Sequence, residues 1–468
     1  MITSLTSDSR RVTPSAAFFA WPGESGDGRR HIAQAIERGC AAVVWEREGF
    51  AWNDSWKMPN SGVDGLRTKA GFLAHEFHGR PSESMWLCGV TGTNGKTSCS
   101  QWLAHVLSLK GMKTGVIGTL GAGFPRSLSP VGNTTPDPLE LHRMLAQFKT
   151  EGASAVAMEV SSHGLDQGRV NGVAFDCALF TNLTRDHLDY HGTLEAYAQA
   201  KARLFDTPGL GAAVLNMDDA FGVRLAQRLE ARGVRTIGYS LSGASASEFI
   251  SVENLKDQRA KIKSSWGSAE VTISQLGRFN VANALGVLGC LVAKGMEFEK
   301  AARLLESLPP VVGRMQKIGD RPLVVVDYAH TPDALEKVLA ALKPVAQERG
   351  GRLVAVFGAG GERDKGKRPL MGKVAAARAD AVVLTSDNPR GEDPQSIVEE
   401  IRSGVTGNCS VELDRAKAIG AAIAAAQDAD VVLIAGKGHE DYQEIAGRRL
   451  PFSDATVAGA ALGRRRVE

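Results

Sequence analysis

Residues 86–98 read WLCGVTGTNGKTS, and this stretch decides the fold. WLCGV predicts a strand, the glycine-bracketed turn follows, and Lys96–Leu109 reads as a helix. Glycines let backbone N–H groups come close to phosphate, and a helix N-terminus favours an anion. In the turn Gly92-Thr93-Asn94-Gly95-Lys96-Thr97, Lys96 can reach the outer phosphates and the Thr97 hydroxyl can bind Mg²⁺. Two residues separate the glycines, not the four of the standard P-loop spacing. An ordinary turn with a helix cap is the competing reading, and the strand, glycines, Lys and Thr together favour nucleotide.

Outward from this turn the same grammar repeats. Val156–Val160 runs into SSHG, and Cys177–Phe180 runs into TNLTRDH. Apolar runs ending in polar clusters indicate a parallel sheet, whose ligands gather at the carboxyl ends of its strands. Glu159 and His187 stand at two such ends. One carboxylate plus phosphates is a normal Mg²⁺ site. His187 is a less usual ligand, and a structural capping role fits it equally well. Lys201, in YAQAKARLF, reads by itself as an exposed helical lysine.

Nearer the N-terminus, Ala16–Ala20 and Ala41–Trp45 are short apolar runs, with IAQAIERG between them as a helix ended by Gly39. HGRPSESMW (78–86) and SLPPVVGR (307–314) look like linkers. Beyond the second, LVVVDYAH, LVAVFGAGG, AVVLTSDNP and VVLIAGKGHE are apolar runs ending in small or charged residues. Asp333–Leu342 and Lys373–Ala379 read as helices between them. The expected architecture is α/β with three domains. These are a small N-terminal α/β domain (1–84), a central P-loop-type parallel-sheet ATPase domain (85–311) and a C-terminal Rossmann-like domain (312–468).

Composition narrows the function. A net charge of +3 over 468 residues argues against a nucleic-acid binder, and the Arg464–Arg466 run reads as a solvated tail. The six cysteines form no CxxC pair and read as scattered, reduced thiols of a cytoplasmic protein. The start lacks an apolar signal core, and no run is long enough to span a bilayer. No coiled coil or large apolar stripe is evident, so a monomer is expected.

GTNGKT, TTPD, EVSSHGL, TNLTRDHLDYHG, GRFNVANA, GRM, DYAHTPDAL, GERDKGKR, DNPR and GKGHE occur in an order that resembles the Mur ligase family, from Asp8 to Asp454. The resemblance implies a bacterial enzyme of peptidoglycan synthesis. Its activity would be ATP-dependent addition of meso-diaminopimelate to UDP-N-acetylmuramoyl-L-alanyl-D-glutamate through an acyl phosphate, with Mg²⁺. By motif, Gly92, Thr93, Asn94, Gly95, Lys96, Thr97 and Ser98 would hold ATP, with Asn283, Arg314, Asp327 and His330 as adenine, ribose and phosphate contacts. Lys96, Glu159, His187 and Lys201 would be the catalytic set. Thr97, Glu159, His187 and a carbamylated Lys201 would face the metal.

The same resemblance assigns the UDP-sugar peptide to Ser7, Ser9, Glu24, Ser25, Gly26, Asn133, Thr134, Thr135, Ser161, Gln167 and Arg169. Taken alone, the threonine pair and SSHG read more readily as strand-end caps. Diaminopimelate would fall to Arg363, Asp387, Asn388, Pro389, Arg390, Gly436 and Glu440. Diaminopimelate carries a distal carboxylate that lysine lacks, and a guanidinium grips a carboxylate with two hydrogen bonds. Arg390 in DNPR therefore favours diaminopimelate over lysine, a surface salt bridge at a turn being the competing reading. A lysine-adding ligase and a non-catalytic nucleotide-binding sensor are the alternatives to the whole assignment.

Overall fold

The structure is a computed structural model describing residues 1–465 except Ser25, Ala244, Ser245, Asp257 and Asn408. Ser25 of the expected sugar site and Arg466 of the arginine run lie outside the described residues. Three sheets carry the chain. The first joins β1 (Ser4–Thr6), β2 (Ala16–Ala20), β3 (Ala42–Glu46) and β4 (Asn60–Val63), all parallel.

The second sheet holds β5 (Trp86–Thr91), β6 (Thr114–Gly118), β7 (Gly121–Phe124), β8 (Ser127–Ser129), β9 (Ala155–Glu159), β10 (Cys177–Phe180), β11 (Ala212–Asn216) and β12 (Arg235–Ser240). It continues through β13 (Glu248–Lys256), β14 (Arg259–Ser264) and β15 (Gly267–Thr272), in the order β15-β14-β13-β12-β11-β10-β5-β9-β6-β7-β8. From β13 to β6 its neighbours are parallel. At both margins the chain turns back, so β7–β8 and β14–β15 add antiparallel strands that correct the purely parallel expectation. In β14, alternate residues are buried and exposed, because a marginal strand covers only one face.

The third sheet comprises β16 (Gln316–Asp320), β17 (Leu323–Asp327), β18 (Leu353–Phe357), β19 (Ala381–Leu384), β20 (Cys409–Val411) and β21 (Val431–Ala435), ordered β16-β17-β21-β18-β19-β20. Only β16 runs antiparallel. The hairpin β22 (Tyr442–Ile445) and β23 (Arg448–Pro451) follows.

Both larger sheets are covered on two faces, which is why their central strands are continuous apolar runs. The helices Lys96–Leu109 and Arg278–Ala293 cover one face of the second sheet; Pro138–Thr150 and Ala220–Glu230 cover the other. Side-chain caps start the helices where polar residues stand: Asp137 accepts from Leu139 and Glu140, and Thr331 from Ala334. The helix expected over 333–342 runs from Pro332 to Glu348, with Pro344 inside it; the one expected over 373–379 starts earlier, at Lys367. Three of the cysteines converge rather than scatter. The Cys88, Cys177 and Cys290 sulfurs lie within 4.8 Å of one another in the apolar core, all as free thiols. Among the described residues no helix is long and apolar enough to cross a membrane.

The helix after the phosphate turn is anchored to the linker. Trp102 is buried, and its Nε1–H donates to the Pro309 carbonyl at 2.8 Å. Trp102→Phe leaves that carbonyl without its donor, which costs about 1–3 kcal/mol. Urea unfolding followed by circular dichroism should show a correspondingly lower midpoint.

Candidate active site

β5 lies between β9 and β10, so the chain leaves it in one direction and returns to both flanks. Crevices form at such a switch point, outside the carboxyl ends. Register fixes what meets there: Val90 pairs with Glu159, and Thr91 with Phe180. The turn that follows is held by β10's extension. Thr93 N–H donates to Asn182 O at 2.8 Å and Asn94 N–H to Asn182 Oδ1 at 3.1 Å. Gly92 (φ +145°) and Gly95 (φ +88°) are needed: a Cβ would overlap Thr181 Oγ1 at the first and Asn283 Oδ1 at the second. The first-turn amides of Lys96–Leu109 have no intrahelical acceptor and remain as anion donors.

Two lysines share one carbonyl of this turn. Lys96 Nζ donates to Gly92 O at 2.8 Å and Thr93 O at 2.9 Å; Lys201 Nζ donates to Gly92 O at 2.9 Å. Lys201 is 1% exposed, which corrects its reading as a surface lysine. Its aminium lies 4.1 Å from the Tyr197 ring centre. Burial, and then the Lys96 charge, pull its pKa well below the ordinary lysine value; burial lowers Lys96 too.

Glu159 is buried. Its Oε1 accepts from Thr119 N–H at 2.8 Å, and its Oε2 from the hydroxyls of Thr97 (3.1 Å) and Thr119 (3.0 Å). His187 stands at the start of a short helix with φ +53° and makes no side-chain cap, so the capping alternative is not what its side chain does. Its Nε2 lies 3.4 Å from Asp186 Oδ2, and His330 Nε2 lies 3.8 Å from the same oxygen. Burial opposes the Asp186 charge, but His187, His330 and Lys367 hold its carboxyl down at about 2. Burial takes His187 down to about 3, leaving a neutral imidazole with a lone pair.

These groups line a cleft of about 680 Å³ that continues past Asn283, Arg314, Asp327 and His330. Arg314 crosses from the third domain: its Nη2 donates to Thr97 Oγ1 at 3.0 Å while its guanidinium sits 4.3 Å from the Tyr328 ring centre. Asp327 lines the cleft, but its carboxylate accepts from the Met315 (2.7 Å) and Ala329 (2.8 Å) amides. Lys201 is not among the lining residues; it approaches Gly92 from the protein side.

The expected sugar–peptide residues meet in part. Gln167 Nε2 and Tyr190 Oη both donate to Glu24 at 2.6 Å, and Arg67 pairs with it at 3.1 Å. Arg169 donates to Gln167 Oε1 and Thr135 O, both at 2.8 Å. Thr134 lies at the cleft, 3.1 Å from Thr119. Thr135 and Ser161 do act as strand-end caps, Thr135 accepting from Ser161 N–H and Ser161 from Gly164 N–H, both at 3.0 Å. Ser9 is buried with its hydroxyl on Gln34, Gly26 closes a turn with Gly23, and Asn133 is exposed.

In the third sheet Asp327, Ala435 and Phe357 are in register, and Phe357 pairs with Leu384, so four polar segments leave one edge together. Asn388 is central there: its Oδ1 accepts from Lys437 Nζ at 2.9 Å, and its Nδ2 donates to Glu440 at 2.8 Å. Arg390, half-buried with φ +53°, donates to Gly361 O at 2.6 Å, with Glu444 3.7 Å from its Nε. Arg363 is exposed, and Asp387 packs against Gly436, where a Cβ would overlap its Oδ2. Sequence reasoning missed Lys437 and Asp186, although both lie inside quoted motifs, GKGHE and TRDH; each is a charge flanked by residues that took the attention. The two edges face each other: Arg185 pairs with Asp364 at 3.1 Å, and Asn94 Nδ2 donates to Asp333 at 3.3 Å.

Family models match along the chain: "Mur ligase family, catalytic domain" over residues 1–70, "Mur ligase middle domain" over 90–291 and "Mur ligase, glutamate ligase domain" over 313–438. A UDP-N-acetylmuramoyl-L-alanyl-D-glutamate–2,6-diaminopimelate ligase of Chromobacterium violaceum is 50% identical, covering 98% of this chain and 94% of its own. The like-named protein of Ectopseudomonas mendocina is 52% identical over 99% and 95%. A solved structure of a ligase of the same name superposes with TM-score 0.70 at 37% identity, over 99% of this chain and 95% of that one. The MurF ligase of Thermotoga maritima in complex with ADP shares the fold, with TM-score 0.67 at 19% identity over 99% and 97%.

Gly95→Ala should abolish nucleotide binding while leaving the fold, since a methyl there strains the turn and displaces Asn283. Fluorescence titration with ATP on protein of native circular dichroism tests this; unchanged affinity would contradict the turn's role.

Proposed function

The chain belongs to the Mur ligase family, and on that premise we propose that it joins meso-diaminopimelate to UDP-N-acetylmuramoyl-L-alanyl-D-glutamate, using ATP. One observation carries the reading. A phosphate turn with Lys96 and a strand-end carboxylate line a cleft whose opposite wall comes from the third domain, and the polar edge of that domain, with the exposed Arg363 and the half-buried Arg390, meets the turn's side at the Arg185–Asp364 pair.

The chemistry follows from the groups. A carboxylate is a poor acyl donor, and phosphorylation by ATP gives it a leaving group. The glutamyl carboxylate of the substrate attacks the γ-phosphorus; ADP leaves, and an acyl phosphate remains. The amine of diaminopimelate then attacks the acyl carbon, and phosphate departs. Lys96 and the first-turn amides of its helix receive the negative charge gathered on phosphate oxygens, a single such donor contributing roughly 3 kcal/mol. Arg314 orients Thr97 from the opposite wall.

Thr97, Glu159 and His187 suit Mg²⁺: a buried carboxylate whose three partners are an amide and two hydroxyls, a hydroxyl, and a neutral imidazole. Bound there, Mg²⁺ would neutralise phosphate charge. Lys201 suits carbamylation, since burial and the neighbouring Lys96 charge both pull its pKa down and so favour the neutral amine that adds to CO₂. Its carbamate would place an anion where a second ammonium is repelled.

The remaining assignments belong to the same proposal. Residues 1–84 with Glu24, Thr134, Gln167 and Arg169 take the UDP-sugar dipeptide. Residues 85–311 take ATP, and 312–468 take the amino acid through Arg363, Asn388, Arg390 and Glu440. The enzyme works as a cytoplasmic monomer.

Purified protein given ATP, Mg²⁺ and the UDP-muramoyl dipeptide should release phosphate and form the tripeptide with meso-diaminopimelate, and far less with L-lysine. Arg390→Ala should cost about 2–5 kcal/mol in kcat/KM for diaminopimelate, the loss of one partner of a desolvated charge pair. Equal use of lysine by the wild type would sink the specificity; no product with either amino acid would sink the ligase.

A further inference from the structure

Arg415 belongs to none of the motifs above, yet its guanidinium is buried under the amino-acid edge of the third sheet. It opens the helix Arg415–Ala425. Its Nε and Nη2 grip Asp454 as a fork, both at 2.7 Å, and both side chains have no solvent exposure. The remaining donors go to main chain. Nη1 reaches Ser386 O at 3.2 Å, and Nη2 reaches Ala435 O at 3.0 Å.

Those carbonyls have a specific place. Ser386 immediately precedes Asp387-Asn388-Pro389-Arg390, and Ala435 immediately precedes Gly436 and Lys437. The two segments then meet: Asp387 Oδ2 fills the space a Gly436 Cβ would need, and Lys437 bridges Asn388 and Glu440. β21 and β19 are not neighbours, because β18 separates them. No ladder hydrogen bond therefore joins the ends of β19 and β21 directly, and main-chain pairing between the two segments begins only farther along, where Arg390 bonds Glu444 and Ala446. Arg415 spans that gap with one rigid planar group, and Asp454, first residue of the helix Asp454–Arg465, fixes the plane.

We propose that Arg415, oriented by Asp454, is a positioning residue for diaminopimelate: it sets the spacing between the segment of Arg390 and the segment of Glu440. This rests on the assignment of those segments to the amino-acid subsite. A buried ion pair contributes little net stability over apolar packing, so a fixed geometry is the better account of this one. Lysine at 415 keeps the charge but has no planar fork, and cannot hold two carbonyls and a carboxylate in one plane.

The test is steady-state kinetics of the full chain with each substrate varied in turn. In Arg415→Lys the KM for meso-diaminopimelate should rise about tenfold or more, as sub-ångström misplacement of binding groups does, with the KM for ATP and for the UDP-muramoyl dipeptide within about twofold. KM values that all stay put, or all rise together, would overturn the proposal and leave Arg415 a fold-stabilising residue. Should Arg415→Lys not fold, Asp454→Asn decides by the same readout: it keeps the side-chain volume and frees the guanidinium to turn. A rise confined to diaminopimelate supports the role, and a uniform or absent change contradicts it. Wild-type protein runs in parallel. If it forms no product with diaminopimelate, the functional reading itself falls, and this role with it.

Discussion

Two amine groups on a single carbonyl oxygen set the terms for the rest of this molecule. Lys96 and Lys201 both donate to Gly92 O, and both are held below their ordinary pKa by burial. Two unit charges about 4 Å apart repel by about 4 kcal/mol at an effective dielectric near 20. Such repulsion favours a neutral amine or an added anion at the junction, beyond the Asp186 charge that already acts on both lysines. The turn accommodates both solutions: its helix amides invite phosphate, and a neutral Lys201 can take up CO₂.

The surrounding architecture serves that junction. The order of strands puts Glu159 and the turn side by side, and Asn182 and Thr181 clamp the turn from β10. The third domain closes the opposite wall through Arg314 on Thr97, Asn94 on Asp333 and Arg185 on Asp364. Beside these polar contacts, Leu276 and Phe279 pack against the third domain's apolar core, and the Arg185 side chain is about half exposed. An ion pair whose arginine is about half exposed contributes about 0–1 kcal/mol, so this polar contact by itself holds the wall only weakly. An acyl phosphate needs such a wall to exclude water during the reaction, and product release needs the wall to open.

Much of this was legible in the chain because it is local. Strand, glycine turn and helix over 86–109 are adjacent in sequence, and Cys177–Phe180 is a strand with the limits its apolar run suggests. The order of family motifs supplied the remaining candidate residues. What was illegible is tertiary. Lys201 sits on a helix that, in sequence, looks solvated; the turn packed beneath it makes it buried. The three core thiols converge only because β5, β10 and the helix Arg278–Ala293 stack. Arg415 lies between unremarkable residues, and only the gap between non-adjacent strands gives it work. The antiparallel margins escaped because the alternating burial of β14 was not read as a marginal strand.

The most direct measurement is carbon-13 NMR of the full-length protein in labelled bicarbonate. A carbamate carbonyl signal is expected from the folded protein and should disappear in Lys201→Ala. A folded wild-type protein with no such signal, or one whose signal survives the substitution, would contradict the claim that this junction resolves its charge by carbamylating Lys201.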